Sequence, residues 1–363
     1  MQMLFLGKTL FSDFYKIIFT FLIALICAQI FIIINVPAPY FIGSLLGVWF
    51  IGASISRTRP LLVIADWFYL PVIIGISVLI GTNFTPEVLQ SLQKWLATVS
   101  IMIIATSCVT IIAFQFLTRI KLYEPKQAFL CSIPGGQAEA LVIARELVEK
   151  DYIVALFHLV RIAIIFISTP LLLMIIQGPE AIQRSNTILE EMPNISALSV
   201  NQACLFLGLC ISGYWIAKFI KMPMPHLLGP IFLSSILHFL GILELPRINE
   251  FVIIAQITIG ASVGARLAQI SFSELKNVLL DACVTSGLII VTYLAIAILI
   301  TLVWDVEFLS IWLAFVPGGL YEATILALIF GFDVAFVAFH HLVRVLLIFV
   351  SMPVFIKIFH NRR

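Results

Sequence analysis

Two glutamates, Glu139 and Glu322, interrupt otherwise apolar runs, each three residues past the last glycine of a Pro-Gly-Gly triplet. A carboxyl at membrane depth is costly enough to point to a proton or cation site. The plainer role is a helix cap. If Gly136 and Gly319 are N-caps, each carboxylate sits at the third helical position, where it satisfies a backbone N–H and the helix dipole. The two roles are compatible, and both stay open. Nineteen residues past each glutamate the sequence reads His-Leu-Val-Arg, at 158–161 and 341–344. A spacing of three puts His158 with Arg161, and His341 with Arg344, on one helical face. Arginines about ten residues into an apolar span should face protein rather than lipid. They can form buried ion pairs with Glu139 or Glu322, or hold an anionic substrate group in their planar donor fork.

The element that carries each triplet must be broken. Proline has no N–H and pushes the residue before it toward extended backbone, so Ile133 and Val316 should leave the helix. The glycines then allow angles that other residues avoid. Beyond them QAEALVIA and LYEATILA are good helix again. Each element is thus two half-helices joined by an unwound turn, which survives at membrane depth only if it is packed in protein or faces a wet cavity. The second half-helix starts at the break, so its free N–H groups and positive dipole end face that cavity. The candidate substrate or coupling-ion residues are therefore Pro134, Gly135, Gly136, Glu139, His158 and Arg161 in one element, with Pro317, Gly318, Gly319, Glu322, His341 and Arg344 in the other.

Neither a catalytic group nor a metal site is expected among them. An oxygenase needs clustered imidazole and carboxylate ligands. Here six histidines are scattered, and the adjacent His340 and His341 point in different directions. No cofactor fingerprint and no P-loop accompany them, so no cofactor is expected and ATP drive would need a partner. The six cysteines form no CxxC pair and read as small apolar residues.

The rest of the chain places these residues in a bilayer. Of 363 residues, 62% are hydrophobic and 11% charged, and mean hydropathy is +1.14. Soluble domains run near half apolar and a quarter charged. A net charge of +2 argues against nucleic acid as a partner. Apolar runs predict spans near 14–35, 39–55, 62–82, 95–118 and 152–176, then near 199–217, 225–242, 250–267, 278–303 and 334–358. The first reads as a retained span, because no small-residue cleavage site comes after it. The broken elements occupy 127–148 and 309–330. A polar linker, 177–198, divides a first repeat (1–176) from a second (199–363).

The halves are copies. Shifted by 183, residues 132–170 match 315–353 without a gap at 16 of 39 positions, including the triplet, glutamate, histidine and arginine and the Pro170/Pro353 pair. Near each copy's start, VPAPYFIGSLLG (36–47) resembles MPMPHLLGPIFL (222–233) at a shift of 186. The chain is a tandem duplication. Lysine and arginine positions decide how the broken elements lie, since short cytoplasmic loops concentrate them. If each element enters and leaves on one face, 16 of the 21 Lys and Arg fall inside and only Lys94, Arg184 and Arg247 outside. If it crosses, the division is twelve to seven. Five crossings per copy is an odd number, so the second copy sits upside down relative to the first. Inverted repeats with discontinuous helices at the midplane are a recurrent plan of secondary transporters.

The motif PGG-x-x-E with H-L-V-R after it, above all the stretch VPGGLYEATILALIFGFDVAFVAFHHLVRVLLIF, resembles the signature region of the AbrB family of duplicated bacterial membrane proteins, some labelled putative ammonia monooxygenase. The resemblance covers essentially the whole chain and implies an integral inner-membrane protein, described as a transporter or a regulator. The first copy departs from the pattern, reading GGQAEALVIARELVEKD with charges where the second is apolar. Together these readings predict an all-α polytopic membrane protein. It has two inverted-topology repeats, each of about five transmembrane helices and one broken or re-entrant element, with both termini cytoplasmic. The expected function is secondary transport of a small solute, an anion being one candidate, coupled to protons or sodium through alternating access. The alternatives are a membrane-bound regulatory or ligand-sensing protein and, as a third, a metal-dependent monooxygenase. Expected partners are the lipid bilayer and a small-molecule substrate, with a homo-oligomer left open.

Overall fold

The structure, a computed structural model, describes residues 2–135, 137–270, 276–304 and 306–360, and leaves aside the side chains of 2–12, 89–90, 92–94, 137–139, 142, 181–182 and 352–360. Among the described residues there is no strand. The first copy runs through α1 (Gln2–Ile33), α2 (Pro39–Ser54), α3 (Asp66–Gly81), α4 (Val88–Gln115), α5 (Pro125–Ser132), α6 (Gln137–Leu147) and α7 (Asp151–Gln177). Helix α8 (Glu180–Glu191) lies in the linker. The second copy continues with α9 (Val200–Phe219), α10 (Pro225–Phe239), α11 (Asn249–Ala268), α12 (Lys276–Val303), α13 (Phe308–Phe315), α14 (Leu320–Phe330) and α15 (Val334–His360). All ten expected spans and both interruptions are present as helices and breaks.

Seven segments, in α1, α4, α7, α9, α11, α12 and α15, are long and apolar enough to cross a membrane. The other three, α2, α3 and α10, have 16, 16 and 15 residues, or about 22–24 Å at 1.5 Å per residue, against a hydrocarbon core of roughly 30 Å. Their starts are set by local chemistry. Ala38 and Met224 are both left-handed, at φ 49° and 46°, and the proline after each opens α2 or α10. The sequence match at a shift of 186 is thus also a match of backbone.

Compactness divides the chain differently from the sequence copies. One unit comprises Met1–Pro86, Pro170–Ile270 and Leu328–Gly331; the other comprises Glu87–Thr169, Ser271–Ala327 and Phe332–Arg363. Each unit draws on both copies, because helices of one copy cover apolar faces of the other. In the first unit α2 lies along α11. A Cβ on Gly260 would strike Phe41 and Ser44, one on Gly264 would strike Leu45 and Trp49, and one on Gly52 would strike Ala268. Small residues let two helix backbones approach this closely. Residue numbers rise together along both helices, so α2 and α11 run parallel.

In the second unit the end of α4 meets the beginning of α12. Lys121 Nζ lies 2.7 Å from Asp281 Oδ1, and Tyr123 donates its hydroxyl to Asp281 Oδ2 at 3.0 Å. Burial and the neighbouring Asp281 carboxylate push the Tyr123 phenol above the usual tyrosine range. Farther along, Thr106 Oγ1 and the Tyr293 hydroxyl are 2.9 Å apart. The numbers fall along α4 as they rise along α12, so this pair is antiparallel.

The linker is more than a polar connection. Ser185, Leu189 and Met192 are buried. The Asn249 N–H donates to the Pro193 carbonyl, and the Ile195 N–H donates to Glu250 Oε2. A Cβ on Gly331, after α14, would touch Ile188 and Arg184 of α8.

Candidate functional site

The second unit holds both breaks, while the last turn of the second element, from Leu328, belongs to the first unit. The first leaves the helix at Ile133, which is extended (φ −63°, ψ 122°) ahead of Pro134, and passes Gly135 at φ +100°. The second leaves at Val316, also extended (φ −51°, ψ 135°), ahead of Pro317. Gly136 lies outside the described residues, as does the side chain of Glu139, although its backbone is in α6.

A helix that ends inside a protein leaves its last carbonyls without intrahelical donors. In both elements the donors come from the next long helix. His158 donates from Nε2 to the Leu130 carbonyl at 3.0 Å, Arg161 Nη2 donates to Ile133 at 2.7 Å, and its Nη1 reaches toward Cys131 at 3.5 Å. The same Nη2 lies 2.7 Å from His158 Nδ1, the unprotonated ring nitrogen. In the second element His341 Nε2 donates to Leu313 at 2.9 Å. Arg344 donates to Val316 at 2.7 Å, Ala314 at 3.0 Å and Phe315 at 2.8 Å. Every acceptor of the first set recurs 183 residues later. A cation on the last carbonyls also answers the negative end of the helix dipole.

Among the described residues these arginines pair with no acid, the Glu139 side chain lying outside them. Among the described residues the ion pairs are Lys121–Asp281 and Arg145–Asp151. A buried pair of Arg161 or Arg344 with Glu322 is therefore replaced by arginine on backbone carbonyl, a role that reading side chains alone misses. Both guanidinium groups are almost wholly buried, at 2% and 1% exposure, and the Nε–H of each has no hydrogen-bond partner among the described residues. Arg344 also lies under the Tyr293 ring, 5.5 Å from its centre.

The start of α14 is dressed differently. Glu322, the third residue of that helix, is buried, and its carboxylate folds back so closely that a Cβ on Gly319 would collide with it. The position is that of a capping carboxylate. Two approaches link the copies here. A Cβ on Gly135 would stand 3.6 Å from Ile348 Cδ1 and 3.7 Å from Arg344 Cδ, and one on Gly318 would stand 3.5 Å from Ile165 Cγ2. Ile165 and Ile348 are themselves 183 apart. The Trp312 indole N–H also donates to Thr169 Oγ1 at 3.4 Å, tying α13 to α7.

The structure thus gathers Pro134, Gly135, His158 and Arg161 with Pro317, Gly318, Gly319, Glu322, His341 and Arg344 in one unit. His340 turns away from His341: its Nδ1 meets the Phe336 carbonyl at 2.8 Å and its Nε2 meets Thr98 Oγ1 at 2.9 Å. Among the described residues no three His, Cys, Asp or Glu side chains are grouped as a metal ion would need. Thr106 and Tyr293 join the site unforeseen, since their spacing in sequence carries no motif.

This duplicated PGG-x-x-E and H-L-V-R geometry sits within residues 48–360, which match the family model described as "Transition state regulatory protein AbrB". The chain belongs to the AbrB family. It is also similar to "Uncharacterized protein YhjN" of Bacillus subtilis (strain 168), with 24% identity over 343 residues covering 88% of each chain. No solved structure matches this AbrB-family chain.

Proposed function

We propose that this membrane protein is a secondary transporter that carries a small solute by alternating access, coupled to protons or sodium. The observation that carries the reading is the pair of helix breaks in one compact unit, each with the last carbonyls of the helix before it held by a buried arginine. Paired breaks of this kind are where transporters of inverted-repeat plan bind substrate and ions.

Inversion is supported by the two registers. If the copies have opposite orientation and successive spans alternate, α2 and α11 must run parallel and α4 and α12 antiparallel, as they do. Entry and exit on one face is supported by Gln127, near the start of α5, whose Nε2 donates to the Lys150 carbonyl in the turn before α7. At 8 and 11 residues, α5 and α6 measure about 12 and 16 Å, enough to reach the middle of the bilayer and return. The second element's turn, at Gly331, touches linker helix α8, as an outside hairpin would beside an outside linker. The proposed location is the bacterial inner membrane, with both termini cytoplasmic.

Glu322 and Glu139 are the proposed coupling carboxyls. Reconstitution in liposomes tests the reading: Glu322→Gln, which keeps shape and capping, is expected to abolish solute flux while the protein inserts and melts normally. Wild-type flux in that variant would remove the acid from the mechanism. The family's description as regulatory favours a second reading, a ligand sensor; saturable binding with no flux in the same liposomes would support it.

A further inference from the structure

In the first unit, Gly264, Gly260 and Gln256 follow at intervals of four on α11 and so share the face toward α2. Gly264 lies against Leu45 and Trp49, and Gly260 against Phe41 and Ser44. One turn further back, Gln256 stands level with residues 37–40, where α2 begins. Helical side chains lean toward the N-terminus of their helix, and α2 and α11 run parallel, so the Gln256 amide is aimed at that beginning. Neither side has a partner. Gln256 is wholly buried, and neither its Oε1 nor its Nε2 is hydrogen-bonded among the described residues. Ala38, the N-cap of α2, is wholly buried too. Its N–H and that of Tyr40 make no hydrogen bond among the described residues. Orphaned buried N–H groups are rare, and an unpartnered buried amide is costly.

Packing alone does not call for an amide here. The contact of Gly264 with the Leu45 carbonyl recurs as that of Gly81 with the Ile231 carbonyl, at the shifts of 183 and 186 that relate the copies. The place of Gln256, eight residues before its glycine, is taken in α3 by Ile73, which is equally buried. Met224, at the start of α10, is only half-buried, so water can serve its N–H.

We infer that Gln256 and the start of α2 form a binding site for a small neutral molecule with a carboxamide or urea group. Its carbonyl accepts from the α2 N–H groups and from Gln256 Nε2, and its own N–H donates to Gln256 Oε1. An amide side chain offers donor and acceptor together, so only a ligand with both satisfies it. Neutrality follows from the surroundings: among the described residues of the first unit no Asp, Glu, Lys or Arg is buried, and a buried charge needs a partner. The site uses other residues than the two breaks, and binding there does not depend on the transport reading.

The test uses the full chain in lipid nanodiscs and saturation-transfer difference NMR, with propionamide as the probe. A saturable propionamide signal is expected. Propionate, which is charged, and N,N-dimethylpropionamide, which has no N–H, are expected to give none. Gln256→Ile copies the residue at the equivalent place in α3, and is expected to fold, by size-exclusion, and to lose the propionamide signal. Gln256→Met, nearer to glutamine in shape, serves if the isoleucine variant fails to fold. No saturable signal in the native chain, the result if these groups hold ordered water only, overturns the site. An equal signal from N,N-dimethylpropionamide, an undiminished signal in a folded variant, or failure of both variants to fold overturns it as well.

Discussion

The two broken helices make a controlled comparison inside one chain. The helix ends before the two breaks are alike: histidine and arginine from the next long helix meet the same carbonyls 183 residues apart. At the second break Glu322 lies against Gly319, and at the first Arg344 approaches Gly135, where Gly136 and the Glu139 side chain lie outside the described residues. Bracing a cut helix end is a structural need that any copy must meet, whereas what the opened N-terminus faces is free to specialise.

The bracing predicts the largest effects. Arg344 serves three carbonyls, and each buried acceptor left without a donor costs about 1–3 kcal/mol. Arg344→Leu is therefore expected to leave little folded protein by size-exclusion of solubilised membranes. Arg161→Leu should be milder, because Arg161 serves Ile133 at 2.7 Å and reaches Cys131 only at 3.5 Å. Equal loss in both variants would break the comparison. Glycine substitutions sharpen it at an intermediate scale. Gly135→Ala meets only ordinary van der Waals contacts, with Ile348 and Arg344, but a left-handed φ, a strain of about 1–3 kcal/mol, so it should lower the Tm. Gly319→Ala instead forces the Glu322 carboxylate away, so its main expected effect is on the pH dependence of flux. The smallest effect is expected at Asp281→Asn, which loses the partly exposed Lys121 ion pair, worth about 1 kcal/mol or less. The tyrosine hydroxyl remains bonded, and its titration, measured by NMR, should move down toward the ordinary range.

Much of this fold can be read in the residues themselves. Prolines and glycines at 134–136 and 317–319 mark the breaks, and hydropathy marks the spans, because each is a local consequence of backbone chemistry. The arginine role cannot be read that way. Its acceptors are backbone carbonyls 28–30 residues distant, which every residue type possesses, whereas glutamates stand out as partners. The linker helix is hidden too: its buried Ser185 and Leu189 sit among exposed polar residues, and polarity alone suggests a simple connection. The division into two compact units depends on which helices pair, as with α2 and α11, where the decisive contacts are between small residues rather than charged ones.

Inversion itself is tested by the turns at the ends of the two broken elements, at Glu149 and Asp333, both exposed. Single cysteines at these positions, in a chain whose six native cysteines are replaced, would be labelled with an impermeant maleimide in right-side-out and inverted vesicles. Thr187→Cys in the linker is the control, because Ser185 is buried. The expected result is that Glu149→Cys reacts only from the cytoplasmic face, and Asp333→Cys and Thr187→Cys only from the opposite one. Reaction of Glu149→Cys and Asp333→Cys from the same face would contradict the inverted plan and the transport route built on it.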